Sequence, residues 1–150
     1  MDKITLPYAA GLFDGEGCIH INKWTSALKN GNQYSLLVQI KMCDGRLLHD
    51  FKRDFGGNLT SEKRSLVNPK HSDILVSRVG ARQAAAFLKE ILPYLRLKRK
   101  QALLAISFQE KMPITGRGRY PVTADEIHFR ENAYKEMRDL KFSERLYRII

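Results

Sequence analysis

The chain has 150 residues, a length that fits one domain, and its 43% hydrophobic content is enough for a core. It carries 26 Lys and Arg against 16 Asp and Glu, a net charge of +10 that favours a polyanionic partner without separating DNA from RNA or an acidic membrane surface. No apolar run approaches the roughly 20 residues of a membrane span, there is no signal-peptide pattern, and two cysteines without metal-ligand spacing argue against a disulfide framework or a zinc site and for a reducing intracellular compartment, cytoplasm or organelle.

The first element is a short helix ending in Tyr-Ala-Ala-Gly-Leu-Phe-Asp-Gly-Glu-Gly, residues 8 to 17. Thr5 can cap it, Pro7 suits its first turn and Gly17 can end it. Gly11 and Gly15 are four apart, on one stripe with Ala10 and Asp14 beside them. Glycine inside a helix costs roughly 1 kcal/mol against alanine, so two need a reason. Close approach of a second backbone is one, and it makes Ala10, Gly11, Asp14 and Gly15 the expected dimer contact. Glu16 falls at the exposed end of the helix. In a symmetric pair two such carboxylates come close, which is tolerable mainly when a cation neutralises them. Oxygen ligands beside a phosphate suit Mg²⁺, with Mn²⁺ as a substitute. Asp14 cannot share the face of Glu16 and suits a structural role near the helix end. A surface helix followed by a Gly-rich turn is the plain alternative.

Two strands follow. Cys18 to Trp24 alternates, with Ile19 and Ile21 on one face and His20, Asn22 and Trp24 on the other. A polar loop with an Asn-Gly turn leads to Tyr34–Cys43, where Leu36, Val38, Ile40 and Met42 oppose Ser35, Leu37, Gln39 and Lys41. Asp44 caps a helix to about Phe55, stopped by Gly56-Gly57. Asn58 to Arg64 and Asp73 to Val79 read as a second hairpin, then come helices over 81–92 and from Leu95 to about Lys111. A basic, Gly/Pro-punctuated stretch over 113–122 carries Arg117 and Arg119, which clamp phosphates or are simply solvated. Thr123 to Glu126 is a capping box opening a last helix that packs on the body through Ile127, Ala133, Tyr134, Met137 and Leu140.

The order αββαββα, with further C-terminal helices, is α+β: an antiparallel sheet with helices on one face. The other face is free. It carries His20, Asn22, Trp24, Ser35, Gln39, Lys41, Asn58, Thr60, Glu62, Asp73 and Ser77, a set able to read base edges in a major groove. A solvated sheet face would look the same. The whole chain, 1–150, reads as a single domain, with a core over about 6–110 and a loop and helix over 113–150.

Residues 9 to 17 resemble the signature of the LAGLIDADG homing endonucleases. Ala9 stands where leucine is usual, Phe13 replaces isoleucine, and Glu16 replaces aspartate at the metal-binding place. Residues 91 to 103, Ile-Leu-Pro-Tyr-Leu-Arg-Leu-Lys-Arg-Lys-Gln-Ala-Leu, resemble the Pro-aromatic-Leu…Lys…Gln-Ala segment near the end of those domains. Together the likeness spans residues 6 to 110. It implies a sheet saddle over double-stranded DNA. A single motif implies a homodimer, intron-encoded, that makes a double-strand break in a long pseudo-palindromic site. It also implies Glu16 as metal ligand, with Gly15 beside it. Lys98 matches a basic residue of the catalytic pocket, against the alternative of a solvated lysine, and Arg46 roughly matches another. The family's water-positioning place falls near Met42, which leaves that part to Gln39, to Lys41 or to solvent alone. Related proteins act as intron RNA maturases or as non-cleaving regulators. Metal-dependent DNA cleavage separates the first reading from these, and intron RNA binding reveals a maturase.

Overall fold

The computed structural model describes residues 2–26, 31–113 and 122–146. Helix α1 (Leu6–Glu16) runs directly into strand β1 (Gly17–Ser26), which pairs antiparallel with β2 (Gly31–Met42). Helix α2 (Arg46–Phe55) leads to β3 (Asn58–Glu62) and β4 (Ile74–Gly80). Helices α3 (Ala81–Ile91), α4 (Arg99–Glu110) and α5 (Ala124–Leu146) complete the order. The four strands form one antiparallel sheet, β1-β2-β4-β3. Among the described residues no helix is long and apolar enough to cross a membrane.

Period-two burial explains the layers. Ile19 and Ile21 of β1 lie in register with Val38 and Leu36 of β2, and all four are buried under the helices. Phe13 of α1 is fully buried and meets Phe87 of α3 edge-on, ring centres 5.5 Å apart. Phe51 and Phe55 of α2 close on the same ring, at 6.1 and 5.0 Å. A helix whose apolar residues recur at helical spacing has one place to put them, and here that is the covered side of the sheet.

Glycine at two junctions follows from local geometry. Gly56 and Gly57 have φ of 78° and 89°, which ends α2 where a side chain would be strained. Gly17 ends α1 in an extended conformation, φ −79°, rather than a left-handed one. A side chain at Gly17 would run into the Phe13 ring, so its smallness is what lets the helix turn into the sheet.

Three local expectations change. The last α3–α4 helix begins at Arg99 rather than Leu95, because Leu92–Tyr94 is a 3₁₀ turn around Pro93 and the next amides are occupied elsewhere, as shown below. Gly45, not Asp44, takes the N-cap of α2, while Asp44 accepts the Arg46 backbone N–H at 3.1 Å from just outside the helix. Thr5 holds the N-cap position of α1 without a side-chain cap bond. The capping box at α5 is realised: the Thr123 N–H donates to Glu126 at 2.9 Å, and the Glu126 N–H to the Thr123 hydroxyl at 3.2 Å.

Helix α5 lies along β1, the sheet's edge strand. Ala133 and Met137 are buried, Tyr34 donates its hydroxyl to Glu131, and Lys23 pairs with Glu131 at 2.7 Å. An edge strand covered by a helix cannot template pairing with another sheet.

Candidate active site and DNA-facing surface

The end of α1 gathers the candidate catalytic groups. Asp14 and Glu16 are two residues apart and do different things. The Asp14 carboxylate accepts three consecutive backbone N–H groups, Arg96 at 2.8 Å, Leu97 at 3.2 Å and Lys98 at 3.0 Å. The third of these belongs to the N-cap residue of α4 and the other two lie just before it, so Asp14 fixes the chain where it enters that helix, from across the fold. The Lys98 ammonium is buried, 6% exposed, and donates to the Asp14 carbonyl oxygen in the last turn of α1. A cation there also complements the negative end of that helix. Glu16 is exposed, and its carboxylate makes no hydrogen bond or ion pair among the described residues. The structure thus leaves Glu16 as the acid with free oxygens.

Removing the Asp14 carboxylate orphans three N–H groups at once. Asp14→Ala is expected to cost about 1–2 kcal/mol, as loss of a helix cap does. Denaturant midpoints measure this, and a midpoint equal to wild type would contradict the capping role.

Of the four catalytic candidates, Glu16 and Lys98 share the end of α1. Gln39 is engaged at 3.0 Å with His20, and Arg46 grips Asp44 through its guanidinium. Hydrogen bonds from Arg46 hold the Asp44 carboxyl down at about 2. The ladder pair Gly17↔Ile40 places Glu16 at the sheet end where Lys41 and Met42 lie. Among the described residues no three His, Cys, Asp or Glu side chains are grouped to hold a metal ion. At this end of α1 the hard oxygens open to a divalent cation, among the described residues, are those of Glu16 and the Gly15 carbonyl. Those donors fit Mg²⁺ chemically, but a full shell needs further oxygens from outside this chain.

On α1 the dimer candidates divide. Gly11 and Gly15 are exposed, and a Cβ at either would meet nothing within 4 Å. Tyr8 beside them is 54% exposed. Ala10 is a correction: it is fully buried in the subunit's own core, on the side of Ala9 and Phe13, and is unavailable to a second copy. Asp14 is half-buried and occupied with residues 96–98.

The open sheet face is built as the alternation requires, with one slip. Asn22, Trp24, Ser35, Gln39 and Lys41 stand on it, as do Asn58, Thr60 and Glu62. Ser77 does not. It pairs with Ile40 and Leu59 on the covered side and is 3% exposed. Asp73 precedes β4 and serves its loop, accepting from the Ser65 N–H at 3.0 Å and hydroxyl at 2.7 Å. The reason is that β4 inverts the usual polarity. Its open side carries Ile74 and Val76, both buried, beneath a polar network in which Lys41 pairs with Glu62 at 2.9 Å and Arg78 with Glu62 at 3.2 Å. Arg78 is a surface residue that sequence reading missed; counting parity back from Val79 would have found it. Arg117 and Arg119 lie outside the described residues.

His20 sits between Gln39 and Lys141 of α5, whose ammonium is 3.3 Å from Nδ1 and 3.5 Å from the Cys18 sulfur. Burial, and then the charges of Lys141 and Lys41, push its pKa from 6.5 down to about 4. A pKa lower in the folded than the unfolded state means stability is complete above 6.5 and is lost as pH falls toward 4. An NMR titration should place the His20 midpoint near 4, and Lys141→Met should raise it. A midpoint at the ordinary value in wild type would contradict the burial.

An open antiparallel face, with one free carboxylate and one buried ammonium at its end, is the layout of a hydrolase that reads an extended polyanion with a sheet. Comparisons with known proteins agree. A profile of the LAGLIDADG endonucleases matches residues 9–77. The DNA endonuclease I-CvuI of Chlorella vulgaris is 32% identical over 117 residues, covering 76% of this chain and 69% of the relative. The chain belongs to the LAGLIDADG endonuclease family. Its fold is that of the crystal structure of I-CvuI in complex with its target in 2 mM Ca, with TM-score 0.72, 21% identity, and coverage of 90% of this chain and 80% of that one. It also matches I-GzeII in complex with a DNA target, TM-score 0.67 and 18% identity, spanning 88% of this chain but 44% of that one. The homing endonuclease I-TnaI matches at TM-score 0.60 and 15% identity, over 95% and 99% of the two chains.

Proposed function

We propose that this member of the family is a site-specific DNA endonuclease working as a Mg²⁺-dependent homodimer that cuts both strands of a pseudo-palindromic site. The observation that carries the reading is the division of labour at the end of α1. Asp14 is consumed in holding the fold, while Glu16, two residues on, is exposed with free oxygens, and the buried Lys98 ammonium is held against the same helix end at the Asp14 carbonyl. Two copies meeting on the bare Gly11–Gly15 flank bring their Glu16 carboxylates together and double the donor set one chain lacks.

The open face lies over the duplex. Its amides, hydroxyls and charges, from Asn22 and Trp24 through Gln39 and Lys41 to Asn58, Thr60 and Arg78, contact base edges and phosphates. Glu16 and the Gly15 carbonyl hold a divalent metal, which when bound supplies Lewis-acid charge to the phosphate and a more acidic water. Lys98 keeps a fixed positive charge against the end of α1, where negative charge builds on the phosphate during cleavage.

Lys98→Met should therefore slow single-turnover cleavage about 10- to 100-fold and leave affinity within a few-fold. An unaltered rate would remove Lys98 from the chemistry. The function itself is tested by incubating the wild-type chain with a randomised duplex library in Mg²⁺ and in EDTA. Discrete breaks in Mg²⁺ alone are expected and recover the target. A folded chain that cuts nothing would contradict the reading, and intron RNA would then be the ligand to try.

A further inference from the structure

We infer that the loop between β3 and β4 is a second DNA contact: Leu66 and Val67 form a rigid apolar wedge that seats against the bases close to the cut. The inference rests on the proposed nuclease reading and adds an element to it.

Leu66 is 83% exposed and Val67 90%, adjacent in the loop between β3 and β4. Isolated exposed apolar residues are ordinary, but two adjacent ones held out by a built turn are not. The turn is built. Residues Arg64–Leu66 form a 3₁₀ turn whose Arg64 carbonyl accepts the N–H groups of Val67 and Asn68 at 3.1 and 3.0 Å. Ser65 is tied to Asp73 across the loop through its N–H and its hydroxyl. A pair held in place before binding loses little freedom on contact.

Charge and position identify the occupant. Arg64, whose charge also acts on the Glu62 carboxylate, and Lys70, which makes no ion pair among the described residues, bring positive charge to either side of the pair, which suits phosphates there. The ladders Gly17↔Ile40, Met42↔Leu75 and Glu62↔Ile74 show that this loop leaves the sheet at the end where α1 delivers Glu16. It stands two to three strands from β1, roughly 10–14 Å at about 4.8 Å per strand. That is about three to four base pairs along a duplex at ~3.4 Å each. Apolar side chains between cationic flanks, facing a duplex, open a base step and bend it.

The test uses the recovered target with 2-aminopurine placed two to five pairs from the cut, bound in EDTA so that stacking is read without cleavage. Wild type should raise the fluorescence. The double variant L66S/V67S, both changes on exposed residues, should keep the wild-type melting midpoint, lose most of that rise and cut about tenfold more slowly in Mg²⁺. R64A/K70A should weaken binding and shallow its salt dependence by about two phosphate contacts. No rise with wild type, an equal rise with L66S/V67S, or a loss of dimer mass in L66S/V67S without DNA would each overturn the wedge. A wild type that cuts while L66S/V67S behaves identically ends this inference alone; a wild type that cuts nothing ends the nuclease reading as well.

Discussion

Glu16→Gln is expected to cut the recovered target at less than about a thousandth of the wild-type rate while binding it within a few-fold, because it removes the charge that holds the metal and little else. The amide has nearly the same shape. The Glu16 carboxylate is exposed and has no partner among the described residues, so no contact seen in the fold is lost and the melting midpoint should not move. Single-turnover rates and equilibrium binding on one duplex give both numbers. Retained cutting would take Glu16 out of the metal site. A large fall in stability would be equally damaging, because it would show that the carboxylate has a structural partner. The contrast with Asp14 sharpens the test: the acid two positions away has three backbone partners, and its loss should be read in stability.

Gly15→Leu should halve the solution mass of the chain and abolish cutting at concentrations where wild type is dimeric. Within one subunit the new Cβ enters open space and leucine suits a helix better than glycine, so the monomer should fold and melt no lower than before. In the proposed dimer it would stand where two backbones approach closely. Overpacking a tight contact costs about 1–3 kcal/mol, and both copies carry the change, so the dimer should weaken at least about thirtyfold. Sedimentation over a concentration series measures this. An unchanged dimer would place the interface elsewhere. Gly11→Leu serves as an independent copy of the experiment one turn away.

Much of this was legible in the sequence, because periodicity and punctuation are local. Strict alternation in Tyr34–Cys43 placed Leu36, Val38 and Ile40 on the covered face, and all three are buried. Thr123 and Glu126 announced their capping box by spacing alone. What failed was non-local. Ser77 was assigned by counting from a polar residue, and β4 carries Ile74 and Val76 on its open side, so polarity gave the wrong parity. Ala10 lies next to the glycine stripe, and only the packing of α1 on the body shows that it belongs inside. Asp14 was expected to be structural, yet its partners are more than eighty residues away, and no local pattern announces a carboxylate that caps a distant helix. The position of α5 along the edge of β1, with Lys141 against His20, was invisible for the same reason.

The dimer claim and the metal claim meet in one experiment, the mapping of cut ends. Wild-type chain is incubated in Mg²⁺ with its recovered target, each strand end-labelled, and the break positions are read to the nucleotide. The account predicts one break per strand, the two related by the pseudo-two-fold axis of the site. Breaks on one strand only, or a pair with no two-fold relation to the site, would contradict a symmetric pair of Glu16 carboxylates as the cutting centre.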